Sequence, residues 1–271
     1  MPGPASPHTV VLTGACGGIG RALARRYLDA GASVALLGRD RAVLDELAEH
    51  APARARVYTP DVTDPQAMNE VAADWIGGFG PPDVVIANAG VAGGFDTAVR
   101  DDLAVLRRML EINLLGVATT FQPFVAPMTE RGAGSLVGIA SVAGWRGIPG
   151  NGAYCASKGG LIRYLESLRA ELRPTGVRVV TVSPGYVRTD LVAGNTMAMP
   201  GLLEPEQAAA RIVTGVARGR ERFTVPRRTG LISRGLSLLP ATLADRIWLA
   251  QPRKPRVGEP GATPIPGLEN A

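Results

Sequence analysis

Short runs of apolar, often β-branched residues alternate along this chain with stretches whose apolar positions recur at helical spacing. The apolar runs predict seven strands: TVVLTG (9–14), SVALLG (33–38), ARVYTPDV (55–62), DVVIANAG (83–90), SLVGIAS (135–141), VRVVTVSPG (177–185) and RFTVP (222–226). The segments between them predict helices at 21–31, 41–50, 65–75, 101–130 and 153–172. Strands that are apolar throughout are typical of strands buried on both faces. The alternation therefore predicts an α/β fold, a doubly wound parallel sheet of about seven strands with helices on both faces.

The regular pattern covers residues 1–226, which we interpret as one domain, and it loosens after Asp190. Residues of about 190–204 are apolar and irregular, as suits a lid over a site. Residues 227–271 form a basic, apolar C-terminal extension. From about Gln251 the extension is rich in Pro and Gly, which predicts a poorly ordered tail.

Composition narrows the class of protein. Hydrophobic residues make up 46% of the chain, enough for a substantial core. The two cysteines, Cys16 and Cys155, do not form a disulfide framework, and neither a signal peptide nor a run of apolar residues long enough to span a bilayer is visible. These features favour a cytoplasmic protein.

The net charge of +5 is unevenly distributed. Between Arg211 and Arg256, eleven basic residues stand against Glu221 and Asp245. Aromatic residues are only 5% and no nucleic-acid module is present, so no nucleic-acid partner is expected. The apolar, Arg-bearing segment 231–250 has two readings: packing on the domain or a subunit, or peripheral contact with an anionic membrane surface.

A glycine-rich loop, TGACGGIG (13–20), follows the first predicted strand and opens the first helix. Gly14, Gly18 and Gly20 permit a tight turn and close approach of a phosphate to the helix N-terminus, which predicts a dinucleotide site. The same segment also fits a nucleophile elbow with Cys16 as nucleophile. That chemistry needs a histidine late in the chain, but the chain holds only His8 and His50, which also argues against a His-based metal site.

Tyr154 and Lys158, in GAYCASKGG, are four residues apart and would share one face of a helix. A nearby ammonium lowers the pKa of a phenol, so the pair can act as a tuned acid or base. Of 29 Lys and Arg residues, only Lys158 and Lys254 are lysines. A compact ammonium therefore stands here in a chain that otherwise uses Arg.

Together these motifs resemble the short-chain dehydrogenase/reductase family over roughly residues 8–226. The resemblance rests on the glycine loop, Asp61-Val62, ANAG (87–90), Asn113, Ser141 thirteen residues before Tyr154, the Tyr154/Lys158 pair and PGYVRT (184–189). One departure is Ala87, where the family usually has Asn. The resemblance implies a Rossmann-like fold and a homodimer or homotetramer paired through residues 101–130 and 152–173.

The resemblance also implies roles for individual residues. Tyr154 is the expected general acid or base, Ser141 binds the substrate oxygen, Lys158 lowers the pKa of Tyr154 and holds the ribose, and Asn113 holds a relay water. The expected cofactor-binding residues are Gly14, Cys16, Gly18, Ile19, Gly20, Arg39, Asp61, Val62, Asn88, Gly90, Tyr154, Lys158, Pro184, Gly185, Val187 and Thr189.

The end of the second strand bears on which nicotinamide cofactor is used. NAD-binding members place an acidic residue there to bond the ribose hydroxyls. This chain has Gly38 followed by Arg39, whose guanidinium can bind a ribose phosphate, so we predict NADP(H). A shift of one residue would bring Asp40 to the ribose and favour NAD.

The leading interpretation is an NADP(H)-dependent oxidoreductase that interconverts a carbonyl and a secondary alcohol on a small apolar substrate. Val142, Trp145, Ile148 and Tyr186 are expected to wall the substrate pocket, with Arg146 facing either a substrate anion or solvent. The alternative is a non-catalytic dinucleotide-binding redox sensor on the same fold. Related chemistry, such as epimerisation or dehydration, stays open.

Overall fold

The computed structural model describes residues 8–193, 195 and 199–268. The described residues form seven strands and ten helices. The strands are β1 (Thr9–Thr13), β2 (Ser33–Leu37), β3 (Ala55–Tyr58), β4 (Val84–Ala87), β5 (Gly134–Ile139), β6 (Val177–Pro184) and β7 (Arg222–Val225). The helices are α1 (Gly18–Asp29), α2 (Arg41–Glu49), α3 (Pro65–Phe79), α4 (Asp102–Leu110), α5 (Gly116–Arg131), α6 (Gly152–Leu172), α7 (Asp190–Ala193), α8 (Pro205–Ala217), α9 (Arg227–Leu238) and α10 (Ala241–Leu249).

The strands form one parallel sheet in the order β3-β2-β1-β4-β5-β6-β7. The predicted doubly wound sheet with helices on both faces is therefore confirmed. Strand order reverses between β1 and β4, and a sheet of this kind opens its ligand crevice at that point.

Apolar cores cover both faces of the sheet because successive strand residues point to opposite sides. Val10 and Leu12 face the core under α1, α2 and α8, whereas Val11 faces the core under α3, α5 and α6. Ala87, which replaces the family's Asn, is buried in the second of these cores.

The helix predicted over 101–130 is interrupted. A π-helical turn, Glu111–Leu115, separates α4 from α5. Such turns widen a helix locally and often occur at functional sites. Here the turn carries Asn113.

The extension beyond residue 226 packs on the domain near the strand ends. Helices α9 and α10 occupy the predicted apolar segment 231–250, and α9 lies against β7. The tail differs from the expectation of poor order. Ile265 is only 1% exposed, in a small core with Val91, Met109 and Ala153. A proline- and glycine-rich composition does not reveal such long-range packing. The division at residue 226 stays a prediction.

Candidate active site

A cavity of about 460 Å³ lies at the carboxyl ends of the strands. Every residue that the sequence proposed for cofactor binding lines it, as do Ser141, Tyr154 and Lys158. The topology explains this convergence, because the carboxyl ends of β1, β4, β5 and β6 meet at one edge of the sheet. The individual roles of these residues stay predictions.

The glycine loop is too tight for side chains at two of its positions. Gly14 has a φ of +67°, and a Cβ on Gly20 would lie 2.0 Å from the Gly14 carbonyl oxygen. The residue before α1 is Gly17, which has no side chain to cap the first N–H groups of the helix. The first N–H groups of α1 therefore face the cavity side without a capping side chain, an arrangement suited to a phosphate.

Asn88 fixes this loop to β4. Its Nδ2 donates to the carbonyl oxygens of Thr13 and Gly14 at 3.2 and 3.1 Å, and its backbone N–H donates to Thr13 Oγ1. Asn88 also lines the cavity, as expected for a ribose contact. Its observed bonds make it a positioning residue for the loop as well.

Ser141, Tyr154 and Lys158 lie together on the opposite side of the cavity. Ser141 lies two residues beyond the end of β5, and its Oγ accepts a 3.1 Å hydrogen bond from Ala143 N–H. The first turns of α6 carry Tyr154 and Lys158, and Lys158 Nζ donates to the Ile139 carbonyl oxygen at 2.8 Å. A hydroxyl, a phenol and a buried ammonium thus face one space.

The expected lowering of the Tyr154 pKa by Lys158 is not found. Burial raises the pKa of Tyr154 to about 12, and its hydrogen bond with Ser141 only partly opposes this. Burial also lowers the pKa of Lys158 to about 8. Desolvation prevails because Lys158 Nζ lies 6.0 Å from the Tyr154 ring centroid and is directed to the Ile139 carbonyl.

Asn113 lies behind the cavity rather than on its wall. Its Oδ1 accepts from Val91 N–H at 2.8 Å, and its Nδ2 donates to Val91 O and Ser157 Oγ. A Cβ on Gly90 would approach Asn113 Oδ1 to 3.1 Å and Lys158 Nζ to 3.4 Å. Gly90 therefore leaves room for Asn113 and Lys158 to come together. The relay water stays a prediction.

The part of the wall expected to hold the adenosine consists of the exposed Arg39 with Gly38, Cys16 and Asp61. A Cβ on Gly38 would lie 2.4 Å from Cys16 Sγ, so the thiol fills the space of a side chain at that position. Asp40 caps α2 by accepting from Val43 N–H at 3.2 Å. That bond orients the Asp40 carboxylate toward its own helix.

Asp61 has protein partners that the sequence did not indicate. Its carboxylate accepts from the backbone and hydroxyl of Thr63 and pairs with Arg108 at 3.2 Å. Burial acts to raise the pKa of Asp61, but the bonds from Thr63 and Arg108 outweigh it and lower the pKa. A contact between Asp61 and adenine stays a prediction.

The expected substrate wall needs two corrections. Val142, Ile148 and Tyr186 line the cavity, but Trp145 does not. The guanidinium groups of Arg222 and Arg234 lie instead 5.9 and 5.5 Å from the centroid of the Trp145 ring. Arg146 lines the cavity, yet its Nη1 donates to three backbone carbonyl oxygens at the end of α9. It stabilises that helix end rather than facing an anion or open solvent.

Much of the remaining wall comes from residues that the sequence did not suggest. The C-terminal residues of this wall are Thr229, Ser233, Leu236, Trp248, Lys254 and Pro266. No local motif marks them, because only long-range packing brings them to the site. The expected lid at 190–204 lies partly outside the described residues. A bridge between Leu203 and Val187 joins the end of this segment to the residues just before it.

Within residues 8–193, 195 and 199–268, no three His, Cys, Asp or Glu side chains cluster as metal ligands. None of the helices in the described part of the chain is long and apolar enough to cross a membrane.

The sheet order, the glycine loop and the cavity define a dinucleotide-binding protein of the doubly wound α/β class. A family model described as short chain dehydrogenase matches residues 8–199. The chain belongs to the short-chain dehydrogenase/reductase family, whose members are oxidoreductases that use NAD or NADP.

Known proteins resemble the chain over most of its length. An uncharacterized oxidoreductase of Myxococcus xanthus is 37% identical over 243 residues, covering 89% of this chain and 96% of that protein. Sulfoacetaldehyde reductase 2 of Chromohalobacter salexigens is 38% identical over 190 residues, or 69% of this chain and 75% of that protein. The crystal structure of a short chain dehydrogenase from Burkholderia cenocepacia, in complex with NADP, has a TM-score of 0.78 at 22% identity and covers 90% of this chain and 98% of that one. This last likeness concerns the fold.

Proposed function

We propose that the protein is an NADP(H)-dependent oxidoreductase that interconverts a carbonyl and a secondary alcohol, with Tyr154 as general acid or base. The observation that carries the proposal is the placing of Ser141, Tyr154 and Lys158 in the same cavity as the glycine loop. The relative named as a sulfoacetaldehyde reductase supports an aldehyde or ketone as the reacting group.

Each of these side chains has a distinct task. Tyr154, whose raised pKa keeps the phenol protonated at neutral pH, donates a proton to the carbonyl oxygen during reduction. Ser141 donates a hydrogen bond to the same oxygen as negative charge develops on it. Lys158 holds the ribose hydroxyls and contributes positive charge near Tyr154. When bound, the nicotinamide supplies or accepts the hydride at the substrate carbon.

The residues fit a dinucleotide with a ribose phosphate. The glycine loop leaves space that a Cβ at Gly20 would fill, and α1 begins beneath it without a capping side chain. At the adenosine end, Cys16 fills the position where an acidic side chain at residue 38 would stand. Arg39 is exposed there and lines the cavity. These features support NADP(H) over NAD(H).

Titration of the nicotinamide fluorescence tests the cofactor proposal. NADPH should bind more tightly than NADH, and Arg39→Ala should weaken only NADPH, by about tenfold for the loss of one charge-assisted contact. Arg26→Ala, an exposed position on α1, is the control for charge. A preference for NADH that Arg39→Ala leaves unchanged would favour the assignment of Asp40.

Replacement of the phenol tests the catalytic proposal against the redox-sensor alternative. Tyr154→Phe should retain NADPH affinity but lose turnover of an aldehyde by about two to four orders of magnitude. Full turnover in this variant would refute a catalytic role for Tyr154. If the wild-type protein binds NADPH but turns over no aldehyde, the redox-sensor alternative is favoured.

We also propose a peripheral contact between α9–α10 and an anionic membrane surface. Leu231, Leu238 and Leu249 are 73%, 84% and 78% exposed, and arginines lie on the same two helices. The cytoplasmic location and the pairing of copies through 101–130 and 152–173 stay proposals alongside it.

Flotation with phosphatidylglycerol-containing and purely phosphatidylcholine vesicles tests this contact. The wild-type protein should float only with the anionic vesicles, and Leu238→Ser should reduce binding. Leu103→Ser, at an exposed leucine of α4, controls for the loss of an exposed leucine, and light scattering checks that it leaves the pairing proposed through 101–130 unchanged. Absence of flotation, together with a smaller oligomer for Leu238→Ser in light scattering, would instead assign the surface to a second copy.

A further inference from the structure

The C-terminal strap, residues 251–268, contributes Lys254 and Pro266 to the cavity wall and is anchored on both sides of Lys254. Arg253 pairs with Asp96 at 3.1 Å. The Pro255 carbonyl oxygen accepts from Gly94 N–H at 3.1 Å. Arg256 makes two hydrogen bonds, of 2.9 and 2.8 Å, with the carboxylate of the buried Asp102. These contacts leave little freedom for the backbone of Lys254.

Lys254 itself turns toward the cavity, where its side chain lines the wall. Its Nζ donates to the Leu191 carbonyl oxygen in a long bond of 3.4 Å. Within residues 8–193, 195 and 199–268, no carboxylate lies within ion-pair distance of this ammonium, although Arg253 and Arg256 beside it both have one. Burial lowers the pKa of Lys254, as expected for an ammonium without a compensating charge.

The other basic side chains on the cavity wall either have protein partners or lie where the cofactor is expected to bind. The wall carries five basic side chains, Arg39, Arg108, Arg146, Lys158 and Lys254, against two carboxylates, Asp61 and Asp190. Arg108 pairs with Asp61, and Arg146 donates to the end of α9. Among the C-terminal residues that line the cavity, Lys254 thus carries the positive charge that a ligand could pair with.

Lys254 contacts two segments that border the candidate active-site residues. Its backbone N lies near Gly150, just before the helix that carries Tyr154, and its side chain reaches Leu191, just after Thr189. The strap also covers Gly94, in the segment after β4. Arg39 lies with Gly38 and Cys16, at the end of β2.

We propose that Lys254 is a specificity-determining residue that binds a carboxylate, or an anion of similar geometry, on an otherwise apolar carbonyl substrate. The inference rests on the proposed oxidoreductase function and narrows its substrate class. An ammonium that is partly removed from water gains most from an anionic partner that enters the same space. The apolar residues Val142 and Ile148 would contact the body of the substrate.

Matched probes test the proposal in the full chain with NADPH. The kinetic pair is para-formylbenzoate and its methyl ester, and the binding pair is benzoate and benzamide, measured by calorimetry with the NADP-loaded protein. The wild-type protein should prefer the carboxylate in kcat/KM and in affinity. Lys254→Gln should reduce both preferences about tenfold, as expected for one charge-assisted contact. Lys254→Arg should restore part of them, and Arg26→Gln should change neither.

The outcomes separate this inference from the function on which it rests. Reduction of the methyl ester with no preference for the carboxylate would overturn the inference and leave the oxidoreductase function standing. If neither aldehyde is reduced, the binding pair still decides, because absent or Lys254-independent binding of benzoate overturns the inference. Weaker NADPH binding in Lys254→Gln with an unchanged probe preference would assign the ammonium to the cofactor and also overturn it.

Discussion

Replacing Ile265 by Ala should release the C-terminal strap while leaving the rest of the fold intact. Ile265 is 1% exposed and packs with Val91, Val105 and Met109. The substitution removes three buried carbon groups, which at about 0.8 kcal/mol each amounts to about 2.4 kcal/mol. A residual cavity would add to this figure, and collapse of the strap onto the gap would reduce it.

This loss should fall on the docking of the strap. Residues 251–268 end the described chain, and their anchors are the contacts to Gly94, Asp96, Asp102 and Arg108 together with the burial of Ile265. A terminal segment can open locally at a lower free energy than global unfolding. A loss of about 2.4 kcal/mol corresponds to an increase of about 50-fold in the open fraction of the strap.

Hydrogen exchange and trypsin digestion can measure this release. In Ile265→Ala, exchange across the strap and cleavage after Arg253 and Arg256 should accelerate by up to about 50-fold, and the global free energy of unfolding should fall by no more than the loss of about 2.4 kcal/mol from docking. Ile265→Val is the conservative control. Leu165→Ala, in the fully buried core under α6, should instead lower the global free energy of unfolding by about 2–5 kcal/mol. In this variant, exchange across the strap should not accelerate separately from global unfolding. Equal global destabilisation by Ile265→Ala and Leu165→Ala, without separate opening of the strap, would refute the reasoning.

Three further predictions concern the cofactor and the strap. Gly38→Asp should destabilise the protein by about 1–3 kcal/mol, because the new Cβ would lie 2.4 Å from Cys16 Sγ. The double variant with Cys16→Ala should recover the melting temperature of the wild-type protein and bind NADH better relative to NADPH. Since burial lowers the pKa of Lys158 to about 8, the ammonium loses its charge above that pH, so the Kd for anionic NADPH should rise between about pH 7 and 9 in the wild-type protein. A fluorescence titration should show no such rise in Lys158→Met, and an equal rise there would contradict the assignment. Gly94→Ala should displace the strap, because its Cβ would lie 2.2 Å from the Pro255 carbonyl oxygen, and should lose the carboxylate preference at unchanged NADPH affinity.

The sheet and the cofactor end of the site were predictable because their signals are local. Six of the seven strands lie within the apolar runs that predict them, and β5 begins one residue before its run, at Gly134. Parallel order then brings Gly14, Asn88, Ser141 and Pro184 to one edge of the sheet, although 170 residues separate the first from the last. The apolar pattern of a strand and a turn built on glycine are set by residues that are adjacent in sequence. Both signals can therefore be recognised in a single sequence.

The substrate end was not predictable in the same way. Arg256 and Asp102 are 154 positions apart, and nothing near either residue identifies the other. The same limitation affects Trp145 and Arg146, whose side-chain directions depend on how α9 packs beside the short turn after β5. The pKa of Tyr154 also escaped prediction, because burial outweighs a charge that the helical spacing alone would bring close.

The two ends of the cavity therefore belong to different parts of the chain. The family model ends at residue 199, whereas Lys254 and the anchor at Ile265 come later. The side chains proposed to be catalytic are held by the sheet and α6, within the span of the family model, so membership of the family accounts for the oxidoreductase class. The C-terminal part of the cavity wall comes from a segment held by contacts to Gly94 and Asp102. If the proposed roles hold, substitutions in residues 227–268 should alter substrate preference while Ser141, Tyr154 and Lys158 keep their positions on the cavity wall.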